Sequence, residues 1–167
     1  MIHLRALEPD DTDFMYAAEQ DCAAWQYSDY LAPLSKEQLR QYAFTYDADP
    51  FRSGQLRLII EKDGRAIGMA DLFEISPRHL RAETGIYLLP QERGAGNGSD
   101  ALGSLCNYCR ERLGLHQLTA TVAKHNEAAR RCYMKAGFSL TGRRRDWLRT
   151  YAGYEDAELY SLILNNP

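Results

Sequence analysis

At 167 residues the chain has the length of one domain with a core of useful size, and 45% hydrophobic with 26% charged residues is ordinary globular composition. A formal net charge of −3 gives no general pull toward nucleic acid or an anionic membrane, and the one basic cluster, Arg143 to Arg145, reads as a solvated strand or turn. No run of 18 apolar residues and no signal-peptide pattern is present, so the expectation is a single cytoplasmic domain over residues 1–167.

Ile2 to Arg5 alternates and predicts a first strand, after which Asp10 or Asp11 caps a helix carrying Phe14, Met15, Ala17 and Ala18. Residues 21–34 hold Trp25, Tyr27, Tyr30 and Pro33 without a period, which predicts a loop. Ser35-Lys-Glu-Gln38 is a capping-box pattern that opens a second helix through about Tyr46. The period then changes to two: Gln55 to Lys62 and Ala66 to Ile75 alternate around Asp63-Gly64, a hairpin signal. After a turn at Ser76 to Arg81, a further strand runs from Glu83 to Leu89.

That strand leads into Arg93-Gly-Ala-Gly-Asn-Gly-Ser-Asp100, where Gly94, Gly96 and Gly98 predict a loop folded closely around something. Ser99 and Asp100 are natural N-caps, and Leu102, Leu105, Cys106, Cys109 and Leu113 keep helical spacing, so a helix starts where the glycines end. Its first N–H groups and its dipole would face the loop, an arrangement that holds phosphate or pyrophosphate, and Arg93 adds a positive charge. No Gly-Lys-Ser/Thr follows as a P-loop requires, and the spacing is not the dinucleotide fingerprint.

Beyond this helix come a strand at Gln117 to Val122, a short helix between an N-cap Asn126 and a C-terminal Gly137, and closing strands at about Ser139 to Trp147 and Tyr154 to Leu164. The two strands joined by the loop helix should be parallel neighbours, because a helical crossover connects them. The fold class is therefore mixed α/β (α+β), with a mostly antiparallel central sheet, one parallel pair and flanking helices. The four cysteines should be reduced thiols, and Cys106-x-x-Cys109 lies inside a helical pattern without a second ligand pair, so it reads as buried small hydrophobes rather than a metal site.

Arg93-x-x-Gly96-x-Gly98 followed by Asn126-x-x-Ala129-x-x-x-Tyr133-x-x-x-Gly137-Phe138 resembles the GCN5-related N-acetyltransferase superfamily, over roughly residues 2–164. Within it the chain looks like the branch of bacterial spermidine N-acetyltransferases and ribosomal-protein N-terminal acetyltransferases. The resemblance implies acetyl-coenzyme A as co-substrate, with its pantetheine arm in a gap where the parallel strands splay. It implies that Arg93, Gly94, Ala95, Gly96, Asn97, Gly98 and Ser99 take the pyrophosphate, that the backbone of Tyr87, Leu88 and Leu89 pairs with the pantetheine amides, and that Asn126 bonds the arm, besides its plain role as a cap.

The resemblance gives Tyr133 the role of general acid; read without it, the same residue is a core tyrosine on a helix bearing Ala129, Cys132 and Ala136. A phenol of pKa about 10 stays protonated at neutral pH and can protonate a departing thiolate. A primary amine must also lose a proton, for which Glu83 at the start of the pre-loop strand and Glu74 at the end of the meander are the best-placed carboxylates, with His125, next to Asn126, a further candidate. The acceptor is expected to be a small polyamine-like amine, since aromatic and acidic residues from Trp25 to Glu37 suit a cation. A protein N-terminus is the enzymatic alternative, and a non-catalytic acyl-coenzyme A binder the alternative of another class. No metal, nucleic acid or membrane partner is expected, and a homo-oligomer is left open.

Overall fold

The computed structural model describes residues 1–29 and 31–164; Tyr30, within the expected loop, lies outside the described residues. Among the described residues seven strands form one sheet: β1 (Ile2–Ala6), β2 (Leu56–Lys62), β3 (Arg65–Ser76), β4 (Arg81–Leu88), β5 (Gln117–Ala123), β6 (Ser139–Thr150) and β7 (Gly153–Ile163). Their spatial order is β1-β2-β3-β4-β5-β7-β6, and every neighbouring pair is antiparallel except β4 with β5. The helices are α1 (Thr12–Glu19), α2 (Lys36–Phe44), α3 (Pro50–Ser53), α4 (Asn97–Glu111) and α5 (Glu127–Lys135).

The alternation in β2 separates the two layers. Leu58 and Ile60 join the core that α4 fills with Leu102, Leu105 and Cys109, while Ile59 points to the other face against Met15 of α1 and Leu39 of α2. The β2–β3 hairpin turns at Asp63 and Gly64, both at positive φ (51° and 75°), as a two-residue primed turn requires. α2 starts on the expected capping box, with Gln38 N–H donating to Ser35 Oγ and Ser35 N–H to Gln38 Oε1. Cys106 and Cys109 are buried free thiols in α4, and among the described residues no cluster suits a metal ion. The Arg143–Arg145 cluster is exposed on β6, where the Arg144 guanidinium lies 4.5 Å from the centre of the Trp147 ring.

Three local expectations need correction. α3 is an additional short helix, with Asp49 accepting the N–H groups of Phe51 and Arg52 and Pro50 in the first position. α4 begins earlier than Ser99: its N-cap is Gly96 in the left-handed region at φ 86°, so Gly98, Ser99 and Asp100 already lie in the first turn. Asp11 stands at the cap of α1 but gives its side chain elsewhere, accepting both arms of the Arg5 guanidinium at 2.8 Å and the N–H of Glu8 at 2.9 Å.

Burial alone would push the Asp11 carboxyl up, but the Arg5 hydrogen bonds, the Glu8 N–H and the Arg5 charge outweigh it and hold the group below the ordinary carboxylate value. A carboxyl with a depressed folded value adds stability that is fully present above its unfolded value, about 3.9, and is lost as pH falls through the folded value. Thermal unfolding followed downward from about pH 7 should therefore show Tm dropping below about pH 4, and Asp11→Asn should lower Tm at neutral pH while flattening that acid limb. An acid limb of the same depth in Asp11→Asn would place the acid-sensitive group elsewhere.

Candidate active site

β4 and β5 pair only through Arg81–Gln117, Ala82–Leu118 and Glu83–Thr119. Beyond Glu83 both strands continue but part, β4 staying on β3 as far as Leu88 and β5 staying on β7 as far as Ala123. The splay that the resemblance implied is thus present, and it opens into a cleft of about 840 Å³. Its walls include Thr84, Tyr87 and Leu88 of β4, Asn126 at the cap of α5 and Tyr133 within it, together with Trp25 and Tyr27 from the segment between α1 and α2.

Parting leaves backbone polar groups of β4 without a strand on one edge, and alternation decides which. The Tyr87 carbonyl points toward β3, since a Cβ on Gly68 would lie only 2.2 Å from it, and the Leu89 N–H donates to the Ile67 carbonyl at 2.9 Å. The gap edge is carried instead by Thr84, Ile86 and Leu88, as the Tyr133 hydroxyl donating to the Thr84 carbonyl at 3.0 Å attests. Of the three residues expected to offer backbone to a pantetheine arm, Leu88 alone faces the gap, and its carbonyl already accepts Arg93 Nε at 3.0 Å. Gly68 has the role the sequence did not announce: no other residue permits β3 to approach β4 there.

The glycine loop lies past the end of β4, outside the walls of this cleft except for Arg93. Gly94 and Gly96 both take positive φ (79° and 86°), and the first hydrogen bond of α4 runs from the Asp100 N–H to the Gly96 carbonyl, so the N–H groups of Asn97, Gly98 and Ser99 precede the helical ladder. They form the anion-ready end of a 15-residue helix. The side chains around them are otherwise engaged. Asn97, 5% exposed, donates to the Glu92 carbonyl at 3.0 Å and accepts Lys62 Nζ at 3.2 Å, which leaves its backbone rather than its amide for a ligand.

Arg93 is likewise committed: its guanidinium pairs with Asp21 and lies 5.5 Å from the Tyr87 ring centre, and Asp21 also accepts the Tyr87 hydroxyl at 3.1 Å. Burial pushes the Tyr87 phenol up to about 12, with the Asp21 charge adding to it. Asp21 is therefore a residue that sequence reasoning passed over. It locks the segment after α1 to both β4 and the glycine loop, and a solitary Asp in an aperiodic stretch carries no signal of that.

α5 begins with Asn126 Oδ1 accepting the Ala129 N–H at 3.1 Å, which satisfies the cap role and still leaves the residue in the cleft wall. Tyr133, nearly two helical turns further on, is 6% exposed, with its ring 5.1 Å from Phe138 and 6.4 Å from Tyr160. Burial drives its phenol well above the ordinary value, and the charge of Glu83 pushes the same way.

Glu74 and Glu83 do not line the cleft. Glu74 is exposed at the β3 bulge with φ 50°, and Glu83 is the last residue of β4 still flanked by both neighbours, Phe73 and Thr119. The carboxylates the structure does bring to the wall are Glu19, Asp29 and Asp71, the last held by two 2.7 Å hydrogen bonds from Arg57. His125 is not among the wall residues; its Nδ1 lies 2.6 Å from Glu155 Oε2 and its Nε2 3.1 Å from the Tyr27 hydroxyl.

Residues 2–139 match the family described as Acetyltransferase (GNAT) domain. The chain is 30% identical to spermidine N(1)-acetyltransferase of Escherichia coli strain K12, over 84% of this chain and 74% of that one. It is 27% identical to the putative ribosomal N-acetyltransferase YdaF of Bacillus subtilis strain 168, over 97% and 91% of the two chains. The crystal structure of spermidine N-acetyltransferase from Vibrio cholerae in complex with CoA and spermine superposes with a TM-score of 0.85, covering 98% of this chain and 95% of that one; at 24% identity that likeness is one of fold. Splayed strands, glycine loop, capped α5 and family match thus converge, and the chain belongs to the GNAT acetyltransferase family as an N-acetyltransferase.

Proposed function

We propose that this enzyme transfers the acetyl group of acetyl-coenzyme A to a primary amine of a small polyamine-like acceptor. The observation that carries the reading is the Tyr133 hydroxyl on the Thr84 carbonyl, in the mouth of the β4–β5 gap and in the same wall as Asn126. The residues present fit the co-substrate on three counts: unladdered first-turn N–H groups in α4, a polar β4 edge at Thr84, Ile86 and Leu88, and a phenol in the gap between the strands. When bound, acetyl-coenzyme A supplies an activated acyl carbon and a thiolate leaving group.

The chain's own residues do the rest. The backbone of Gly96 to Ser99 holds the pyrophosphate, Asn126 bonds the arm, and Tyr133 gives its proton to the departing sulfur. Glu19, Asp29 and Asp71, with the rings of Trp25 and Tyr27, make a wall suited to a cation with more than one charge. Because Glu74 and Glu83 stand outside that wall, either of them takes up the amine proton only through water.

Reduced, buried Cys106 and Cys109 support a cytoplasmic setting; among the described residues no helix is long and apolar enough to cross a membrane. β6 forms a free, mostly exposed sheet edge carrying Leu140 and Trp147, which supports association of copies along it; light scattering tests this, a monomer speaking against it.

A thiol-release assay over diamines, polyamines, amino sugars and short peptides decides the acceptor. The expected result is highest kcat/KM for a di- or polyamine, with Asp71→Asn raising its KM more than it lowers kcat. Peptides with free N-termini preferred over every small amine would establish the second reading, which the likeness to the Bacillus subtilis protein favours.

A further inference from the structure

On β4 the residues facing α4 and α5 form an apolar row, Ala82, Ile86 and Leu88, with a single polar interruption at Thr84. Thr84 is 3% exposed, and its Oγ1 is the one buried side-chain polar atom without a hydrogen-bond partner among the described residues. An unpaired buried hydroxyl is a standing cost to the fold, and valine would fill the same volume without it. Such a group calls for a function or a ligand. The position is informative, because Thr84 lines the cleft, sits where β5 has just departed, and holds the Tyr133 hydroxyl on its own carbonyl.

We propose that the Thr84 hydroxyl is a second hydrogen-bond donor, beside Tyr133, to the sulfur of acetyl-coenzyme A as the acetyl group leaves. This rests on the proposed co-substrate and on Tyr133 as acid. In the step, the amine lone pair forms the new C–N bond, the C–S bond breaks and its electron pair stays on sulfur. Tyr133 Oη passes its proton to that sulfur and regains one through water, while the amine's surplus proton goes to solvent by way of a carboxylate. Thr84 transfers no proton; it holds the developing charge.

A helper is needed at this point for a physical reason. Burial makes the Tyr133 phenol a reluctant acid, and the carbonyl on which it rests is an acceptor that cannot share the negative charge. A hydroxyl that is free to rotate, has no prior partner to abandon and lies in a water-poor wall can donate as charge develops, with little reorganisation.

The test compares wild type with Thr84→Val and Thr84→Ser, using three readouts: Tm of the unliganded protein, kcat, and calorimetric affinities for coenzyme A and for desulfo-coenzyme A, which lacks the sulfur. Thr84→Val should melt no lower than wild type, lose about tenfold or more in kcat, and bind coenzyme A more weakly while binding desulfo-coenzyme A as wild type does. Thr84→Ser should recover most of kcat. If Val does not fold, Thr84→Ala carries the same readouts. Wild-type kcat and coenzyme A affinity in Thr84→Val overturn the proposal, as does an equal loss of affinity for both ligands, which would make Thr84 a shaping residue. A wild-type protein that binds neither ligand would instead overturn the co-substrate assignment itself.

Discussion

Tyr133→Phe should lower kcat on the best acceptor by about 10² to 10⁴, equivalent to roughly 3 to 5.5 kcal/mol, the usual contribution of a positioned general acid. The ring contacts with Phe138 and Tyr160 survive the substitution, and only the bond to the Thr84 carbonyl is lost, so the protein should fold and bind coenzyme A much as wild type does. A smaller loss would follow where product release limits turnover. The pH profile needs a different expectation from that of a free phenol. Burial raises the Tyr133 phenol above its ordinary value, so a high-pH limb due to its ionisation should lie above that of a free phenol. More than about half the wild-type rate in Tyr133→Phe, at saturating acceptor, would leave the residue with packing alone.

Gly96→Val should weaken acetyl-coenzyme A binding by at least tenfold, about 1.4 kcal/mol. The reason is conformational: a Cβ at Gly96 would meet no atom within 4 Å, but the residue caps α4 at φ 86°, where a β-branched side chain is a strained outlier. Relieving that strain rotates the N–H groups of Asn97 to Ser99 away from a common point, and pyrophosphate binding depends on their convergence. Asn tolerates the left-handed region far better, so Gly96→Asn should retain more affinity than Gly96→Val. Calorimetry giving Gly96→Val the wild-type affinity in a folded protein would remove the loop from the binding site.

Much of the fold could be read locally. The period-two runs of β2 and β3, the Asp63-Gly64 turn, the Ser35–Gln38 box and the Asn126 cap are each set by neighbours in sequence, through pleat, positive φ or a side chain reaching a nearby N–H. The start of α4 was less legible, because Ser99 and Asp100 are better caps than Gly96 by residue type. What puts the cap at Gly96 is backbone geometry, with Gly98 tucked inside the first turn where a Cβ would come within 3.3 Å of Cys132 Sγ.

The sequence by itself determined the order of elements, the two motifs and, through them, the family and its acid candidate, because spacing along a helix or strand is a local property. Tertiary structure decided how they are used. Only the register of β4 against β3 shows that Thr84, Ile86 and Leu88, and not Tyr87 or Leu89, present backbone to the gap. Only packing across long sequence separations commits Arg93 to Asp21, excludes Glu74 and Glu83 from the cleft wall, brings Asp71 into it, and leaves the Thr84 hydroxyl unpaired. Charge, exposure and hydrogen-bond satisfaction belong to pairs of residues, and which residues pair at a distance is settled by the sheet and the helices packed on its two faces, not by the sequence neighbourhood of either partner.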